Sequence, residues 1–137
     1  MNDAVKIEEA TAEDVVPIAR VLVDEFHTEY ENYFPPVDVK KTIEYIGDHY
    51  HRGKIFVAKR DGELVGVTMA KPTAFWFSHS QYINEGVFYV SPRARRSRAA
   101  KLLTTELKAY ARSLHLPLML GISSGDRVQA KDKFFES

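Results

Sequence analysis

The segment Tyr82–Leu103 constrains the fold of this chain more than any other. It reads YINEGVFYV, then SPRARRSRAA, then KLL at the opening of an amphipathic helix. An apolar run closed by a proline and followed by leucines at helical spacing is a strand, a tight turn and a helix. Pro117–Ile122 reads as a second buried strand beyond that helix. A strand–helix–strand unit closes as a right-handed crossover between parallel strands, which commits the chain to an α/β (α+β) layer with a mixed sheet. The turn carries Arg93, Arg95, Arg96 and Arg98. It brings the unpaired N–H groups of a helix start and fixed positive charge to one point, which suits a phosphate-bearing ligand.

The remaining elements follow from local pattern. Val5–Glu8 is a short strand, and Thr11 with Asp14 three residues on marks a helix start. That helix runs to about Glu25–Thr28, with Val15, Ile18, Ala19, Leu22 and Phe26 on one face and Pro17 near its first turn. After an aromatic stretch broken by Pro35-Pro36, a second helix covers Val39–Tyr50 with Ile43 and Ile46 inward. Lys54–Lys59 and Glu63–Met69 form a hairpin through Asp61-Gly62, and Thr73–Gln81 is a loop. A long helix spans about Ser97–Leu114, with Leu102, Leu103, Leu107, Tyr110, Ala111 and Leu114 as its apolar stripe. Asp126–Glu136 reads as a final short helix. The order is β-α-α-β-β-β-α-β-α, in a single domain over residues 1–137.

The formal net charge is zero, which disfavours a globally basic nucleic-acid binder. The charge is nevertheless divided. Asp24, Glu25, Glu29, Glu31 and Asp38 lie together in the first half, and Arg93, Arg95, Arg96, Arg98 and Lys101 in the second. This polarity suggests one site for an anion and another for a cationic group. The chain has no cysteine, so thiolate catalysis and zinc–thiolate sites are excluded. The five histidines show no convincing metal-ligand spacing, and no metal is expected. No apolar run approaches a membrane span and no signal-peptide pattern opens the chain, so the expected location is the cytoplasm.

The run Val90-Ser91-Pro92-Arg93-Ala94-Arg95-Arg96-Ser97-Arg98-Ala99-Ala100 resembles the signature V-x-P-x-x-R-x-x-G-x-G/A of the GCN5-related N-acetyltransferase (GNAT) superfamily. The element order resembles that family over essentially the whole chain. The resemblance implies a mixed central sheet flanked by helices, with acetyl-coenzyme A lying along the strand at Phe88, Tyr89 and Val90. It implies pyrophosphate on the amides of Arg95, Arg96, Ser97, Arg98, Ala99 and Ala100. Arg98 stands where the family has its first glycine; turned outward, its side chain leaves the amides usable.

Gly86 within an apolar strand points to a bulge or a close backbone approach. A bulge would leave an N–H to polarise a thioester carbonyl, and the resemblance puts that amide near Phe88. Family members often carry a glutamate base at the position of Asn84. Glu85 is one residue away and in a regular strand faces the other side; a bulge at Gly86 would bring it back. Glu25 and Glu29, at the end of the first helix, are rival bases or amine anchors. His27 and His79 flank the expected acceptor region, and Tyr30, Tyr33, Phe34, Phe75, Trp76 and Phe77 are candidates to line it.

The ending AKDKFFES resembles the family's last helix, with Phe135 in place of the tyrosine that commonly protonates the leaving thiolate. The chain then stops where the family continues into a C-terminal strand pair, as a natural short form or a truncated reading frame. The uncovered sheet edge points to a homodimer. The activity implied is acetyl-CoA-dependent acetyl transfer to a primary amine by direct attack in a ternary complex. The alternative is a non-catalytic acyl-CoA-binding or protein-interaction module on the same fold. A nucleic-acid contact through the four arginines is disfavoured by the charge balance; a tRNA acceptor would combine it with acetyl transfer.

Overall fold

The computed structural model describes residues 4–120 and the backbone of Phe134–Phe135. Strands β1 (Val5–Glu9), β2 (Lys54–Arg60), β3 (Glu63–Ala74), β4 (Gln81–Val90), β5 (Leu118–Met119) and β6 (Phe134–Phe135) form one sheet in sequence order. All neighbours are antiparallel except β4 and β5, the parallel pair joined by the crossover. The β2–β3 turn is built as the Asp-Gly pair demands, since Asp61 (φ 55°) and Gly62 (φ 79°) both adopt left-handed backbone.

Each face of the sheet has its own helical cover, decided by the two-residue alternation of the strands. Ile55, Val57, Val67, Met69 and Tyr89 face Ile18, Leu22 and Ile46. These last belong to two helices. Helix α1 is a continuous helical run over 15–29, in which Val15–Arg20 and His27–Glu29 flank a π-helical segment, Val21–Phe26. Helix α2 is Val39–Arg52. On the opposite face Phe56, Ala58, Val65, Ile83, Phe88 and Val90 pack against Ala99, Leu103, Leu107 and Ala111. That stripe belongs to α3 (Ala99–Ser113). Among the described residues no helix is long and apolar enough to cross a membrane.

Three expectations from the sequence need correction. Ile43 is 41 % exposed, because the inward face of α2 runs through Thr42, Ile46 and His49 and leaves Ile43 about 60° to one side. A buried histidine occupies a position that an apolar pattern does not reveal. Leu114 caps α3 and is exposed, so the stripe ends at Ala111. Phe134–Phe135 is not helical: it pairs antiparallel with β5, as suits two aromatic residues beside an open strand. Residues 126–133 of the expected helix lie outside the described residues. Because β6 occupies the outer edge of β5, that edge does not itself call for a second chain.

Candidate active site

Among the described residues β5 pairs with β4 at Ile83↔Leu118 and Asn84↔Met119, at the start of the longer strand. The side of β4 beyond Asn84, toward the turn after Val90, is termed the wedge, because in α/β sheets ligands gather beyond the carboxyl ends of parallel strands. The Ser91 amide donates to Val65 O across β3, and alternation from there turns the backbone of Phe88 and Val90 toward the wedge. Val90 O already accepts from Arg95 Nε at 3.0 Å.

The bulge expected at Gly86 is present. Met69 pairs with Val87 and Ala70 with Glu85, which leaves Gly86 without a partner on β3. The bulge shifts the phase of the strand. Asn84, opposite Lys71, joins the face of Val87 and Tyr89, whereas Glu85, 5 % exposed and opposite Ala70, joins the face of Ile83 and Phe88. Glycine is required here for room as well. A Cβ at position 86 would lie 2.5 Å from His49 Nε2 and 2.7 Å from the Tyr45 hydroxyl, which itself donates to Gly86 O at 3.2 Å. Gly86→Ala should therefore destabilise the protein by about 1–3 kcal/mol through overpacking, measurable by urea denaturation; an unchanged midpoint would refute the crowding.

His49 is 1 % exposed, and its Nδ1–H donates to Tyr45 O at 3.0 Å, so in the neutral ring Nε2 carries the lone pair. Nε2 has no hydrogen-bond partner among the described residues. Burial pushes the His49 pKa below the usual imidazole value; the bond to Tyr45 O opposes this and the Lys71 charge adds to it. The unfolded chain takes up this proton near pH 6.5, whereas the folded chain resists to lower pH. The stabilising contribution is thus complete above about pH 6.5 and is lost as pH falls through the depressed folded value. Thermal melts should show a lower Tm at pH 5.5 than at pH 7.5, and His49→Gln should flatten that difference.

On the same face as His49, α1, the segment after it and α2 enclose a cleft of about 470 Å³ against the bulge. Its walls are the side chains of Leu22, Phe26, Phe34, Pro36, Val37 and Val87. Asp38, Lys41, Thr42 and Tyr45 add polar groups, and Gly86 forms part of the wall. Burial, and then the charges of Glu85 and Asp48, push the Tyr45 hydroxyl's pKa up. Leu22 and Phe26 both come from the π-helical segment of α1, whose widened turn places them and Glu25.

The arginine turn divides into two pairs. Arg93 reaches Glu25 at 3.4 Å and Leu64 O at 3.3 Å. Arg95 makes a two-pronged contact with Glu29, at 2.6 and 2.7 Å, and lies over the Tyr89 ring at 5.5 Å. Glu25 also accepts from Ser91 Oγ at 2.6 Å, and Glu29 from the Tyr89 hydroxyl at 3.0 Å. The Glu29 hydrogen bonds hold the Arg95 pKa above its usual value, while burial and then Glu29 raise that of Tyr89. Arg96, Arg98 and Lys101 are exposed, and among the described residues they form no ion pair.

The turn itself runs from the short 3-10 segment Pro92–Ala94 into α3. Ser97 Oγ accepts from Ala99 N at 3.1 Å, and Leu102 N bonds Arg98 O at 2.9 Å as the first full helical bond. The amides of Arg95 and Ser97 donate to Pro92 O and Ala94 O, so with that of Ala99 they are engaged within the turn, contrary to the expectation that they meet a pyrophosphate; Ala100 and Lys101 present helix-start N–H groups with no described acceptor one turn back. Arg98 sits at φ −84°, ψ 5°, a backbone open to any residue, so the absence of glycine there imposes no strain.

The other expected residues are scattered. Phe34 lines the cleft, Tyr30 is core, and Tyr33 is 78 % exposed. Phe75 packs on Tyr82 and Phe77 at the β3–β4 tip, beside an exposed Trp76. His79 is exposed on that tip, and His27 on α1 does not line the cleft. The Phe135 side chain lies outside the described residues. Sequence reasoning missed Tyr45 and His49, for which the one available signal was their four-residue spacing on α2 opposite a lone strand glycine.

The model of the acetyltransferase (GNAT) family matches residues 19–132. No curated protein matches the chain significantly. Among solved structures, a predicted acetyltransferase with acetyl-CoA from Clostridium acetobutylicum superposes with a TM-score of 0.75 at 15 % identity, over 97 % of this chain and 91 % of that one. An N-acetyltransferase from Staphylococcus aureus Mu50 gives 0.71 at 22 % identity, over 93 % and 78 %. An aminoglycoside acetyltransferase from an uncultured soil metagenomic sample, in complex with sisomicin, gives 0.61 at 17 % identity, over 90 % and 78 %. At these identities the likeness is one of fold.

Proposed function

The chain belongs to the GNAT family of acetyltransferases, and on that premise we propose that it transfers an acetyl group from acetyl-CoA to a primary amine bound in the cleft. One observation carries this reading. β4 runs on through the arginine turn into α3, and the bulge in that same strand, at Gly86, forms part of the wall of the apolar cleft. The residues fit the cofactor's chemistry. The N–H groups of Ala100 and Lys101 offer an anion-binding point at the helix start, and Arg96, Arg98 and Lys101, exposed and without an ion pair among the described residues, add positive charge to the same turn. Arg95 serves this turn through its side chain's grip on Glu29 and Val90 O. Acetyl-CoA, when bound, supplies an acyl carbon activated by a good thiolate leaving group.

The protein's part is then to orient and to accept a proton. The cleft holds the amine against the bulge, so that proximity supplies much of the acceleration. The bulge does not bring Glu85 to the amine: it is buried on the face of Ile83 and Phe88, away from the cleft, which removes it as the base expected from the sequence. Glu85→Gln should therefore leave the acid limb of the kcat/KM pH profile in place; loss of that limb would restore Glu85 as the base. Asn84 lies on the cleft's face of the strand, where it orients rather than ionises. Glu25 and Glu29 hold the arginine turn.

The test is isothermal titration with acetyl-CoA together with release of free thiol over an amine panel. Binding with turnover of at least one amine is expected. Binding without turnover of any amine would favour a non-catalytic acyl-CoA-binding module, which the same wedge would serve.

A further inference from the structure

The acids that the sequence offers for a cationic acceptor are engaged elsewhere. Glu25 and Glu29 are turned to Ser91, Arg93, Tyr89 and Arg95, and neither lines the cleft. What faces the cleft is apolar: Leu22, Phe26, Phe34, Pro36, Val37 and Val87. Its charged groups are one carboxylate and one ammonium, Asp38 and Lys41, which offset each other. Both lie at the start of α2. There Asp38 Oδ1 accepts from Lys41 N at 3.0 Å, and the Thr42 hydroxyl donates to Asp38 O at 2.9 Å. The polar side chains are thus largely occupied in capping the helix. A volume of about 470 Å³ is that of a small-molecule pocket.

We propose that the acceptor is a monoamine carried on an aromatic or alkyl body, and that the cleft selects it against polycations such as polyamines and aminoglycosides. This rests on the acetyl-transfer reading of the same site. The apolar body fills the Leu22, Phe26, Phe34 and Val87 walls, where its removal from water is favourable. Its single amino group points to the bulge at Gly86, on the strand that borders the wedge. A polycation would leave several ammonium groups facing apolar walls with Asp38 as the one lining carboxylate, itself occupied in capping α2 and offset by Lys41, which is unfavourable for each unmet charge. Phe26 stacks on Phe34, and Tyr30 packs against both at tilted and edge-on angles, with centroids 5.2 to 6.0 Å apart, so the aromatic wall is held in place before any ligand arrives.

The test compares 2-phenylethylamine with spermidine, both as ligands of the protein by isothermal titration and as acceptors in the thiol-release assay. Expected is at least a tenfold lower Kd for 2-phenylethylamine, and the same order in kcat/KM. Phe34→Ala, at an exposed position that should leave the fold intact, is expected to weaken 2-phenylethylamine severalfold. Val37→Asp is expected to narrow or reverse the preference. Equal or tighter binding of spermidine, or no effect of Phe34→Ala, would overturn the inference. Because the titration needs no turnover, the order of binding decides the matter even where neither amine is acetylated, an outcome that would count against the transferase reading alone.

Discussion

Leucine in place of Ala100 should weaken acetyl-CoA binding by about a hundredfold or more while the protein stays folded. Ala100 is the second residue of α3, half-buried, and its N–H points out of the helix start. The larger side chain would stand where the phosphates must approach. Loss of even two hydrogen bonds to a charged group costs about 3 kcal/mol, and each 1.4 kcal/mol is about a factor of ten in affinity. The helix has little to lose, because leucine and alanine are both strong helix formers and Ala100 O can still accept from Thr104 Oγ1 at 2.9 Å. Tm should therefore move by no more than about 4 °C, as expected for a change below 1 kcal/mol. Titration and a thermal melt on the same preparation check both halves. Undiminished affinity would sink the assignment of the phosphate site.

Glu29→Ala should behave in the opposite way and unfold the site from behind. The carboxylate holds both Arg95 guanidinium nitrogens and the hydroxyl of Tyr89, a residue 0 % exposed. Its removal leaves that buried hydroxyl without its carboxylate and the guanidinium with Val90 O as its remaining described acceptor. A loss of about 2–3 kcal/mol of stability is expected, the lower part of the usual range because the ion pair is about a third exposed. Acetyl-CoA affinity should fall with it, since Arg95 positions the turn that leads into α3. Denaturant unfolding and titration measure the two effects. A general base at this position would give the reverse result, with the chemical rate lost and both stability and cofactor affinity retained.

Much of this was legible in the chain itself. The strand, proline stop, basic turn and leucine helix of Tyr82–Leu103 could be read from periodicity, because the apolar spacing of a strand and of a helix differ. Asp61-Gly62 announced its turn, and Gly86 its bulge, because each marks a backbone that other residues adopt poorly or cannot fit. The roles of like residues were not legible. Arg93 and Arg95 tether the turn, whereas Arg96 and Arg98 face solvent, and nothing in the string RARRSR distinguishes them. The distinction arises only when α1 brings Glu25 and Glu29, more than sixty positions earlier, against that turn. The burial of His49 and the exposure of Ile43 likewise depend on which side of α2 meets the sheet.

Local sequence thus determined where the elements lie and where the strand bulges, since backbone preference and hydrophobic period act within a few residues. The tertiary structure alone decided which charges neutralise one another and which remain to meet a ligand. Ion pairing depends on distance in space, and the two acids read as rival bases or amine anchors became the supports of the arginine turn. What they left behind, on the other side of the bulge, is a cleft walled mainly by apolar side chains.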